Sequence, residues 1–73
     1  MSDDLLALAA LRGTQAQLRA AYADANTAAS HLAGARATRA AEMAEKLADC
    51  IAFSERLLFI CVADHRYQEL RER

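Results

Sequence analysis

Proline is absent from this chain, glycine occurs only twice, tryptophan not at all, and aromatic residues make up just 5 %. Without proline the strongest helix breaker is missing, and with two glycines the sequence has few places where the backbone can turn sharply. Alternating apolar and polar segments are also missing. A strand over the apolar run 57–63 would therefore find no partner, and an isolated strand does not hold together in water. That run is seven residues long and bracketed by Arg56 and Asp64, far short of the roughly 18 residues a membrane span needs. An excess of charge of one sign is lacking too: nine basic residues stand against ten acidic ones, net −1. The broad positive field of most nucleic-acid binders is therefore absent. Cys50 and Cys61 are the only cysteines. On one helix they lie about 16 Å apart, too far to bridge each other, so no disulfide framework is expected and both read as thiols of a reducing compartment.

What is present is helix-forming sequence. Nineteen of the 73 residues are alanine, the residue with the best helix propensity. Asp3 and Asp4 follow Ser2 at the start, where a capping side chain and negative charge suit the positive end of a helix. Leu8, Leu11, Gln15, Leu18, Tyr22, Ala25, Ala29 and Leu32 then recur at alternating spacings of three and four, an unbroken heptad seam that calls for a packing partner. Gly13 sits inside this stretch, and Thr14 to Gln17 resembles a capping box. A break there, with a short helix over 3–12, is the alternative; the seam keeps its phase across Gly13, which favours one helix over about 3–33.

Gly34 follows the seam where a helix commonly ends in left-handed geometry, and Thr38 is placed to cap a second helix over about 38–71. The expected fold is all-α: one domain over 1–73, an antiparallel two-helix hairpin turning around Gly34. Folding there makes facing residue numbers add to about 69, so that Leu11 meets Leu57 and Leu58, Leu18 meets Cys50 and Ile51, and Gln15 lies opposite Ser54. Alanines meet alanines near the turn. At the open end Asp3 and Asp4 approach Arg71 and Arg73, a pairing worth little on a surface.

A two-helix hairpin this small buries too little to stand easily alone. The second helix also carries more apolar surface than one neighbour can cover, since a run such as 57–63 surrounds the cylinder. A homodimer forming a four-helix bundle is one remedy; a different protein covering the same surface is another. The residues expected at such an interface are Ile51, Phe53, Leu57, Leu58, Phe59, Ile60 and Val62. Arg66 and Tyr67 are of the types enriched at hot spots.

Chemistry is thinly represented. Cys61 and His65 have the i, i+4 spacing of two metal ligands on a helix, but no second ligand cluster accompanies them, and no metal or cofactor is expected. No nucleophile, base and orienting group are gathered, and the expectation is a non-enzyme. Between Ala25 and Ala41 no acid occurs while Arg36 and Arg39 flank the turn, a basic tip that could meet phosphates together with Arg12 and Arg19. The MSDD start lacks the positive charge of a secretory signal, so a cytoplasmic protein without membrane attachment is expected. Eight of the nine basic residues are arginine, which with the alanine content suggests a GC-rich bacterial or phage genome. The functional expectation is a small protein-binding regulator or inhibitor, encoded by a phage or mobile element and acting on a host regulator or defence component. The alternatives are an RNA- or DNA-binding hairpin dimer and a structural coiled-coil subunit of a larger assembly.

Overall fold

The computed structural model describes residues 3–72, which form two helices, α1 over Asp3–His31 and α2 over Gly34–Glu72. Ser2 as a cap and Arg73 as a partner for the N-terminal acids lie outside the described residues. The helices run antiparallel as a hairpin 59 Å long and 18 × 12 Å across. No strand occurs among the described residues. None of the described helices is long and apolar enough to cross a membrane.

α1 passes through Gly13 without interruption. Thr14 does not cap a new helix there: its Oγ1 donates to the Ala10 carbonyl at 3.0 Å, the back-bond typical of a threonine inside a helix. Continuity keeps Leu11, Gln15 and Leu18 on one side, where all three are half-buried.

The connection is two residues long, and both helix ends fall earlier than the expected 33 and 38. α1 ends at His31, only Leu32 and Ala33 connect the helices, and α2 begins at Gly34, four residues before Thr38. Gly34 has φ 63°, the left-handed conformation that costs a glycine least. Thr38 is therefore not the cap; its Oγ1 donates back to the Gly34 carbonyl at 3.4 Å. Ala35, Ala37, Ala40 and Ala41 explain the early start, because strong helix formers propagate the helix from Gly34 without needing a side-chain cap. Leu32, in the connection, stays 41 % exposed.

The two helices meet along matched heptad seams. On α1 the covered positions run from Leu8 through Leu11, Gln15 and Leu18 to Ala25 and Ala29. Between Leu18 and Ala25, Ala21 is more covered than Tyr22, whose ring leans out at the edge with 38 % exposure. On α2 the covered positions alternate by three and four from Ala37, Ala40 and Ala44 through Leu47, Ile51 and Ser54 to Leu58, Cys61 and His65. The facing register is seen directly at the open end, where Asp4 Oδ2 lies 3.5 Å from His65 Nδ1 and Leu8 shares a depression with Cys61.

The core is narrow. Only Leu8, Ala25, Ala40 and Ala44 are buried apolar residues, and no large side chain is fully enclosed among the described residues. Ala25 is 1 % exposed: small side chains near the tip let the backbones come close, so little area is buried per residue. Ser54 is the buried polar residue, and its Oγ donates to the Ile51 carbonyl at 2.7 Å. That bond satisfies the hydroxyl within its own helix, so Ser54 does not depend on Gln15 across the seam.

Candidate functional site

A second pattern on α2 runs beside the seam to α1, on another side of the helix. Phe53, Arg56, Ile60, Ala63, Tyr67 and Leu70 also alternate by three and four. At 100° per residue this row lies nearly opposite the α1-facing row. Its large members are exposed: Leu70 68 %, Tyr67 63 %, Phe53 61 % and Ile60 55 %. Phe59, beside the row, is the most exposed large apolar side chain described, at 76 %. Two shallow depressions flank the Phe59 ring, one floored by Ala52 and Ile60, the other by Ala63 and Leu70. One helix thus faces α1 with one stripe and solvent with another apolar stripe, which isolated surface hydrophobics do not do.

Charged groups frame this face. The Arg56 guanidinium sits 6.0 Å from the Phe53 ring centroid and that of Arg71 5.9 Å from the Tyr67 centroid, within range of cation–π attraction. These contacts lay the two arginines against aromatic rings of the apolar row. On the flank, Arg19 of α1 meets Glu55 of α2 at 3.0 Å. Both are more than half exposed, so the pair contributes little beyond closing that edge.

The residues expected at an interface divide between two sides of α2. Phe53, Phe59, Ile60, Arg66 and Tyr67 are exposed, the last four on or beside the outward depressions. Leu57 and Val62 are half-buried at the flanks, while Ile51 and Leu58 are half-buried on the seam facing α1. Leu70, Ala63 and Ala52 belong to the outward face and were not singled out by sequence. The three-and-four spacing from Phe53 to Leu70 is the signal that finds them; Arg56 in its midst obscures it.

The other candidate positions are scattered. Arg36 and Arg39 are exposed at the tip, where Arg39 lines a shallow depression together with Glu42. Arg12 and Arg19 lie on α1 and join no common site with them. Cys50 and Cys61 are free thiols. His65 lies on the α1 seam with its side chain 19 % exposed, and its ring nitrogens face two carboxylates, Asp4 Oδ2 at 3.5 Å and Glu69 Oε1 at 3.0 Å. Among the described residues no three metal-ligating side chains gather as a cation site.

Compared with protein-family models, characterised proteins and solved structures, the chain matches none. The outward face of α2 therefore has to be read from its own chemistry.

Proposed function

We propose that this chain is a small non-enzymatic regulator or inhibitor that acts by binding protein through helical faces, as a homodimer that engages a host protein. One observation carries this reading: an apolar row of Phe53, Ile60, Tyr67 and Leu70, with Phe59 beside it, stands exposed on the side of α2 away from α1. Such a face in water favours association by the hydrophobic effect. Aromatic and arginine side chains together are the composition of binding hot spots. The shallow depressions around Phe59 suit side chains of another helix better than a small substrate, which is usually enclosed in a deeper cavity. The small size and arginine- and alanine-rich composition fit a phage or mobile-element product acting on a host regulator or defence component.

A tagged purification from the presumed bacterial host, with and without nuclease, tests this. One protein retained in near-stoichiometric amount despite nuclease, and lost with Phe59→Asp, is the expected result. Nucleic acid alone, lost on nuclease treatment and on Arg36→Ala/Arg39→Ala, would replace this reading with the nucleic-acid one. Retention in a large assembly whose activity is the same with and without the chain would make it a structural subunit.

A further inference from the structure

Resting on the homodimer reading above, we propose how the second copy sits: the two hairpins overlap only through their open halves, α2 against α2 in antiparallel orientation, with the tips pointing away from each other.

The area available supports a second copy as the occupant. A compact monomer of 8.0 kDa exposes about 4,500 Å², whereas this chain exposes 5770 Å². The excess is larger than the roughly 800 Å² that each partner contributes to a standard interface. A rod necessarily exposes more than a sphere, but here part of the exposed surface is concentrated and apolar. Phe53, Phe59, Ile60, Tyr67 and Leu70 alone present on the order of 600 Å², taking about 200 Å² for each side chain at its observed exposure.

Position along α2 decides the overlap. The same outward rows carry Arg39, Glu42, Glu45, Lys46 and Asp49 in the tip half, all exposed. A second copy lying along the whole hairpin on this face would have to desolvate them, at a cost that pairing does not reliably return. The apolar stretch 53–70 measures about 27 Å at the helical rise, under half of the 59 Å rod.

Spacing decides direction and register. In an antiparallel pair of seams with three-and-four spacing, each position of one type meets the other type. Phe53 then faces Leu70 of the second copy, Ile60 faces Ala63, and Arg56 faces Tyr67, with the two-fold axis between positions 61 and 62. Large meets small at the centre, and the one charged member of the row, Arg56, lands on an aromatic face, where its guanidinium can stack while its edge stays in water. A parallel pairing would instead bring Arg56 against Arg56.

The test is the mass and maximum dimension of the full chain in solution, by sedimentation equilibrium and small-angle X-ray scattering. The expected dimer is about 86 Å long, two rods of 59 Å that overlap by about 32 Å, from the axis between positions 61 and 62 out to each open end. Ile60→Asp raises its dissociation constant by about 100-fold or more with helicity retained, because Ile60 is 55 % exposed in the hairpin. Met43→Asp, in the tip half and 52 % exposed, leaves the dimer intact. A dimer about 60 Å long that Met43→Asp breaks would overturn the end-overlapped arrangement while leaving the homodimer reading standing. A monomer at every concentration would overturn both, and would leave the apolar face to a host protein.

Discussion

The two halves of the hairpin are built on opposite plans. Toward the tip, alanines line the inside and charges the outside: Ala25, Ala40 and Ala44 are buried, while Arg39, Glu42, Glu45 and Asp49 face solvent. Toward the open end the inside holds Leu8, Leu11, Leu58 and the self-satisfied Ser54, and the outside carries an apolar row from Phe53 to Leu70 interrupted by Arg56. The tip half gains from close backbone approach and finishes its own surface. The open half has apolar material for two neighbours and only one in the hairpin. Association is therefore expected of the open half, and independence of the tip.

Substitution of two adjacent residues separates inside from outside most sharply. Leu58→Asp places a charge on the half-buried seam and should cost the hairpin about 3 kcal/mol or more, read as a collapse of the urea midpoint. Phe59→Asp should change the stability of the isolated hairpin by less than about 1 kcal/mol, since the ring is 76 % exposed, yet abolish association. Equal losses for the two would erase the distinction between the faces.

Overpacking the tip comes next. Ala25→Leu has no room at a position 1 % exposed and should cost about 1–3 kcal/mol by forcing the helices apart, measured by thermal unfolding. A negligible effect would mean that the backbones are not held close there.

The two glycines should respond with opposite signs. A Cβ at either one meets nothing within 4 Å, so the effects are conformational. Gly34→Ala, at φ 63°, should destabilise by about 1–2 kcal/mol. Gly13→Ala, within α1, should stabilise by about 0.5–1 kcal/mol. The smallest effect is reserved for the Arg19–Glu55 pair on the flank: removing either partner should cost less than about 1 kcal/mol, and less still in high salt.

Much of this fold was legible in the residues. The absence of proline, the heptad seam of α1 and the position of Gly34 led to an antiparallel hairpin in the observed register, which the Asp4–His65 contact displays. The start of α2 was harder to see, because Thr38 carries the signature of a cap while the alanines around it remove the need for one. The split of the apolar residues was harder again. The run 57–63 is apolar on every side, so the interface set drawn from sequence holds Ile51 and Leu58 beside Phe53 and Phe59, although the register already set Ile51 against Leu18 and Leu58 against Leu11. Packing against α1 keeps that first pair half-buried on the seam and leaves Phe53 and Phe59 outside. Leu70 was hidden for the reverse reason, standing apart from the run among charged neighbours.

Hydroxyl-radical labelling of the full chain at working concentration, in host lysate and after purification, tests most directly whether the outward face of α2 is covered. Phe59, Tyr67 and Leu70 should label several-fold more slowly than their exposure in the hairpin dictates, while Leu32 and Met43 label as exposed residues. If Phe59 labels as freely as its 76 % exposure allows in both settings, the face is bare and is not an interface.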